Sequence, residues 1–292
     1  QITAAEDAGV NNRGAYYDRV GALRDMFQNH LLQVLAMVAM EPPTRFDATS
    51  VRNETVKVFQ ALRPVKPEEV SDCVVRGQYV EGKVLGGRLA AYREEPGVAP
   101  ASMTETYVAM RLYLDNWRWG GVPFFVRTGK RLPVRVTEVV VNFRQTPHCL
   151  FDRSCREGVR YNQLVLRLQP DEGIILSFGM KVPGAGFEVR DVAMDFHYSD
   201  LTDAYLPSAY ERLLLDCMLG DATLYARNDA VEACWAFVDP IARAFSEDAS
   251  IPLYGYPAGS WGPQKADEML VPYDSRWRYP CKGLSHGSHC EL

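Results

Sequence analysis

No uninterrupted apolar run in this chain approaches the ~18 residues that a membrane-spanning helix needs. A helical membrane span is therefore excluded. The opening residues, QITAAEDAGV, carry neither a basic stretch nor an apolar one, so no secretory signal is visible. An excess of positive charge is also lacking. The net charge is −5, and the few basic clusters are local, so nucleic acid is not an expected partner. The seven cysteines are odd in number and show no framework spacing, which suits a reducing compartment. A cytoplasmic location is expected, or a plastid one if a transit peptide was lost. No G-x-G-x-x-G-like turn opens the chain and its glycines are scattered, so a dinucleotide cradle is not expected here. Internal repeats and low-complexity segments are missing as well.

What is present fits an ordinary globular protein. The 292 residues suffice for one large domain or two small ones, and 47% hydrophobic with 24% charged residues is a common balance. The most informative stretch is residues 16–41. Leu23, Phe27, Leu31, Leu35 and Val38 recur at spacings of three and four, which predicts a long helix with one buried face. Pro42-Pro43 ends it. Asp25, Asn29, His30 and Gln33 lie in the same apolar run, where burial costs energy unless each is paired or used. Read alone, His30 fits a satisfied core histidine. Five α-helical residues also put Asp25 and His30 roughly 140° apart, which does not demand a joint site.

A second helix is predicted over DATSVRNETVKVFQAL, with Asp47 or Ser50 as its cap. Residues 81–100 read as a loop-rich surface stretch. From about residue 104 the period changes to two. TYVAMRLYL, PFFVRTG, TEVVVNF, LVLRLQ, GIILSF and FEVRDVAMDFHY are strand candidates with no long helix between most of them, which argues for an antiparallel sheet. Helical patterns return at LPSAYERLLLDCML and NDAVEACWAFVDPIARAF. The expected fold is α+β, a large mostly antiparallel sheet with helices packed on one face. Alternation gives that sheet a greasy side, including Leu164, Leu166, Leu168, Met194, Phe196 and Tyr198, expected under helices. Arg167, Gln169, Asp195 and His197 fall on its polar side.

Several motifs are long and unusual in composition. RDMFQNHLLQ, with AAEDAGVNNRGAYYD before it and VAMEPP after it, resembles the catalytic-histidine helix of glucose-6-phosphate dehydrogenase. GVPFFVRTGKRL, NQLVLRLQP, AYERLLLDCMLGD and GSWGP follow in that family's order. The resemblance covers residues 1–270, read as a C-terminal substrate and dimerisation domain, and leaves 271–292 as a divergent tail. The family's N-terminal coenzyme domain and its R-I-D-H-Y-L-G-K-type segment do not occur here.

The resemblance implies oxidation of glucose 6-phosphate to 6-phosphogluconolactone, with NADP bound mainly by the coenzyme domain. It assigns His30 as the proton acceptor. A neutral imidazole suits that task near pH 7. Glu6 and Asp25 match carboxylates that accept from sugar hydroxyls, while Lys130, Arg135 and Gln169 match further substrate contacts. Lys130 is expected to act on the substrate as a surface lysine whose loss leaves the fold intact. A homodimer or homotetramer is implied, with the large sheet at the interface. The isolated chain is expected to be inactive for want of a nicotinamide site. The alternative reading is a truncated, non-catalytic module that binds sugar phosphate or dimerises.

Some relatives hold a structural nucleotide beside the sheet. Arg127, Arg167 and Asp195 persist at matching places, but Val136, Val140, Ser177 and Trp261 stand where basic residues are expected, which argues against it. Asp195 then reads as a solvated strand carboxylate. In the tail, Cys281, His286, His289 and Cys290 match no common zinc spacing, and no metal is expected. His148-Cys149 reads as an incidental pair.

Overall fold

A computed structural model of the chain describes residues 1–84, 86–144, 162–184, 188–201 and 207–280. His148, Cys149 and the Cys281, His286, His289 and Cys290 group lie outside these residues. The chain opens with β1 (Ile2–Ala5), then α1 (Gly14–Ala22), a π-helical segment (Leu23–Leu31) and α2 (Leu32–Ala39). Next come α3 (Ala48–Gln60), α4 (Val70–Cys73) and β2 (Val74–Val80). The short pair β3 (Gly82–Val84) and β4 (Gly87–Leu89) precedes β5 (Tyr107–Leu112) and β6 (Phe124–Gly129). Then follow β7 (Val136–Asn142), β8 (Gln163–Gln169), β9 (Gly173–Lys181) and β10 (Val189–His197). The last elements are α5 (Ala209–Leu219), α6 (Asn228–Glu247), β11 (Leu253–Pro257) and α7 (Lys265–Glu268).

Among the described residues, nine strands form one sheet in the order β10-β9-β8-β7-β1-β6-β5-β2-β11. Only β1 with β6 and β11 with β2 run parallel. The expected α+β class and mostly antiparallel sheet are observed. Of the two cap candidates read for the second helix, Asp47 and Ser50, the structure uses Asp47. Asp47 caps α3 by accepting from the Ser50 amide at 2.8 Å. Ser208 and Glu211 form a reciprocal capping box at the start of α5.

Three strands escaped the alternation test, and each for a local reason. β1 is four residues long and buried throughout, so it shows no period of two. Glycine interrupts β2 and β11. The stretch at 81–100, expected to be loop, contains the β3–β4 hairpin.

The helical layer covers only part of the sheet. The π segment packs against β5 and β6, with α2, α3 and α6 behind it. Across β8, β9 and β10, paired positions align Leu164, Leu176 and Met194 in one row. Leu176 is 37% and Met194 63% exposed. Among the described residues the greasy side at Leu176 and Met194 lacks the expected cover of helices, whereas Leu166 and Leu168 pack against the core. On the opposite side Arg167 is buried and donates to Asp195 at 2.6 Å, and His197 Nδ1 lies 2.8 Å from Asp171. Asp195 is thus an ion-paired carboxylate rather than a solvated one, because removing Arg167 from water demands a partner.

The supposed tail closes the second face of β6. Trp277 is buried in the core. The Arg127 guanidinium carbon lies 4.3 Å from its ring, 4.9 Å from that of Tyr279 and 5.0 Å from that of Trp261. Arg127 also donates to Thr3 Oγ1 at 3.1 Å and to the Arg278 carbonyl at 2.7 Å. Arg278 pairs with buried Glu138. No structural break occurs at residue 270, since these contacts tie 271–279 to the sheet. Replacing Trp277 with Ala should lower stability by about 3–5 kcal/mol, measured by urea unfolding. A loss below ~1 kcal/mol would show that the segment is not part of the core.

Candidate functional site

The sheet's hydrogen-bond register gathers several of the candidate residues at one end. In the parallel β1–β6 pair Ala5 stands opposite Gly129, so the next residues, Glu6 and Lys130, leave the sheet side by side. Lys130 Nζ donates to Glu6 Oε2 at 2.6 Å. Ala5 also faces Val136 of β7, which sets Arg135 beside the same end, and Thr137 faces Gln169 of β8. Arg135 and Gln169 are both exposed there. Main-chain bonds brace the turn. Glu6 N donates to the Gly129 carbonyl, Leu132 N to that of Glu6, and Tyr256 Oη to that of Lys130. Gly129 is required by packing, since a Cβ there would lie 2.6 Å from the Tyr107 ring.

Lys130 is not the surface lysine that the sequence suggested. It is 9% exposed, and its ammonium sits 4.9 Å from the centre of the Tyr17 ring. Tyr17 is itself buried, and its hydroxyl has no hydrogen-bond partner among the described residues. Burial, with the negative charges of Glu105, Glu6 and Asp25 nearby, pushes its phenol well above the usual range. Tyr17 is thus the buried floor between Lys130 and the carboxylates.

Asp25 and His30 lie on the π-helical segment, where Leu32 N donates to the Phe27 carbonyl five residues back. With bonds closing every five residues, positions i and i+5 come one turn apart on nearly the same side. The separation of roughly 140° expected for an α-helix is therefore corrected. Asp25 is half-buried and accepts weakly from Tyr16 Oη at 3.4 Å, whereas His30 is exposed. A satisfied core histidine is excluded by that exposure. Leu23, Phe27 and Leu31 fill the core below, as their spacing foretold.

Two residues of this region were missed in the sequence. Tyr17 is hidden in YYD at a helix start, where a tyrosine carries no special signal. Glu105 is buried between two threonines at the entry to β5 and accepts from the Leu23 amide at 3.0 Å. A carboxylate entering an apolar strand was the available clue.

The model of "Glucose-6-phosphate dehydrogenase, C-terminal domain" matches residues 1–278. Glucose-6-phosphate 1-dehydrogenase of Aggregatibacter actinomycetemcomitans is 56% identical over 280 residues, covering 96% of this chain and 56% of that protein. The enzyme of the same name from Treponema pallidum (strain Nichols) is 54% identical over 288 residues, covering 97% and 55%. The crystal structure of glucose-6-phosphate 1-dehydrogenase from Mycobacterium avium superposes with a TM-score of 0.80 at 42% identity, over 96% of this chain and 55% of that one. A glucose-6-phosphate dehydrogenase solved in complex with its substrate glucose-6-phosphate gives 0.84 at 33% identity, over 96% and 56%. The chain spans about half the length of these relatives.

The burial of Lys130 reverses one expectation. Lys130→Ala would leave Glu6 without its cation at a half-covered site, and should cost about 1–3 kcal/mol of stability. Thermal unfolding at neutral pH measures this; an unchanged melting temperature would show that the pair adds nothing to the fold.

Proposed function

Because the chain belongs to the glucose-6-phosphate dehydrogenase C-terminal domain family, we propose that it supplies the sugar-phosphate site and the proton acceptor of such an enzyme. The proposed reaction oxidises glucose 6-phosphate to 6-phosphogluconolactone, the entry step of the oxidative pentose phosphate pathway. The observation that carries this reading is the Glu6–Lys130 pair, held in one register and facing Tyr17 close to Asp25. A cation and two carboxylates placed together suit a ligand with both an anionic group and hydroxyls.

His30 is the proposed general base. Its exposure leaves the ring accessible to a sugar hydroxyl, and Asp25, one π turn earlier, offers an acceptor on the same side. Lys130 presents its ammonium to the substrate, with Arg135 and Gln169 at the open rim. Since Lys130 is already paired, substrate binding would share or displace the contact with Glu6.

NADP takes up the hydride in a reaction of this class. The described residues do not fit that nucleotide. Among the described residues, two strand-to-helix turns carry spaced glycines, β1 to α1 and β11 to α7, and both are filled by the protein itself, the second by Val84 at Gly259 and Tyr107 at Gly262. A Cβ on Gly9 would meet Arg131 and Glu95, and one on Gly14 would lie 2.1 Å from the Pro96 carbonyl oxygen. At those two glycines the backbone is closed to a phosphate. We assign the nucleotide site to the part of the relatives that this chain does not span.

A homodimer or homotetramer is also proposed, through the open row Leu164, Leu176 and Met194 together with α5, whose Leu214, Leu215, Met218 and Leu219 are exposed. Exposed apolar surface of this kind suits a stable interface of about 2,000 Å² or more.

Two outcomes follow. His30→Asn, made in the complete enzyme, should lower kcat by about 10²–10⁴-fold while glucose 6-phosphate affinity changes little; a kcat within a few-fold of wild type would remove His30 from the chemistry. Met194→Glu should weaken self-association by at least ~10-fold, read by sedimentation equilibrium. A wild-type protein that stays monomeric at roughly tens of micromolar would end the oligomer proposal.

A further inference from the structure

The helical run from Gly14 does not pass smoothly into the segment that carries Asp25 and His30. It breaks at Gly21, where φ is +69° and ψ 171°. An L side chain is disfavoured there, and a Cβ would lie 2.3 Å from Glu105 Oε1. The break leaves fresh amide donors at the restart of the helix, which need acceptors. Glu105 takes both of the first two. Its carbonyl accepts from Ala22 N at 3.0 Å, and its side chain accepts from Leu23 N at 3.0 Å. A residue distant in sequence thus does the work of a local helix cap.

The neighbouring residue ties the same point to the rest of the site. Thr106 accepts from the Lys130 amide at 3.0 Å, and its hydroxyl accepts from Tyr79 N at 3.0 Å. One dipeptide at the entry to β5 therefore sets both the start of the π segment and the main chain of Lys130. Burial pushes the Glu105 carboxyl above the ordinary range, opposed by the Leu23 amide and by Arg76 and Arg24. A carboxyl kept in the core at that cost is held there by its contacts with the restarting helix.

We propose that Glu105 is a positioning residue: by capturing the helix restart after Gly21 it sets the π register that brings Asp25 and His30 to the same side. The inference rests on the functional reading above only for the role of His30. The geometry of the latch stands without it.

The test compares Glu105→Ala and Glu105→Gln in the full-length protein that carries this chain. Gln keeps an acceptor oxygen at the same reach, and Ala removes it. Amide exchange at Leu23–Leu31 should quicken by at least ~10-fold in Glu105→Ala, with α3 unchanged, and return towards wild type in Glu105→Gln. The kcat for glucose 6-phosphate should fall by at least ~10-fold in the Ala variant with KM within about three-fold, because misplacing a base by ~1 Å can cost about 10²-fold in rate. Gln should recover most of that loss. Should Glu105→Ala fail to fold, Glu105→Asp, which draws the carboxylate back from Leu23, is expected to shift both readouts in the same direction. Wild-type protection of Leu23–Leu31 in the Ala or Asp variant would overturn the proposal, as would a Gln variant no better than Ala. If wild-type protein oxidises no glucose 6-phosphate, the dehydrogenase reading fails and amide exchange alone decides the role of Glu105.

Discussion

The parallel pairing of β1 with β6 is the constraint on which the rest of this structure depends. It joins Ile2–Ala5 to Val126–Gly129 in register, closing a loop that contains α1, the π segment, α2, α3 and β5. Without β1 the sheet would part between β6 and β7, since β1 bonds to both. The same pairing sets Glu6 beside Lys130, so a fold-level contact and a site-level contact are one event. Closing so long a loop is entropically costly. The compensation is burial, with Ile2, Ala4, Val126 and Val139 all in the core.

Around this centre the protein keeps an unusual set of charges out of water. Arg127 is held among three aromatic rings, Arg167 by Asp195, Glu138 by Arg278, and Arg76 by the carbonyls of Phe245, Ile251 and Pro252. Buried ionic groups add little net stability when paired but are severe when one partner is lost. Their effect is to make each packing arrangement discriminating. Arg127 accepts only a segment that brings Trp261, Trp277 and Tyr279 together, which orders the C-terminal residues over the sheet.

The two halves of the sheet have different fates. The β5–β6 half is sealed by helices on one side and by the C-terminal segment on the other, and it positions Lys130 rigidly. The β8–β10 half presents Leu176 and Met194 to the outside, and Leu214, Leu215, Met218 and Leu219 of α5 are likewise exposed. A protein of this composition rarely leaves so much apolar surface without a use. The proposed assembly surface and the proposed sugar-phosphate site thus fall on different halves of a single sheet.

Periodicity and motif alone determined the apolar stripe Leu23–Phe27–Leu31–Leu35, the helix that begins near Asp47 and Ser50, the alternating strands from β5 to β10, and the family to which the chain belongs. Those features are local, or are repeated often enough that side-chain order reveals them. Tertiary structure alone decided the rest. The break at Gly21 and the capture of Leu23 by Glu105 join residues far apart in sequence, so the π turn that aligns Asp25 with His30 has no local signature. Lys130, expected at the surface as a lysine whose loss leaves the fold intact, has Tyr17 and Glu6 folded against it. Trp277 looked like tail until Arg127, buried in β6, required an aromatic partner. In each case the deciding force is desolvation, which depends on which distant groups exclude water, and no run of neighbouring residues encodes that.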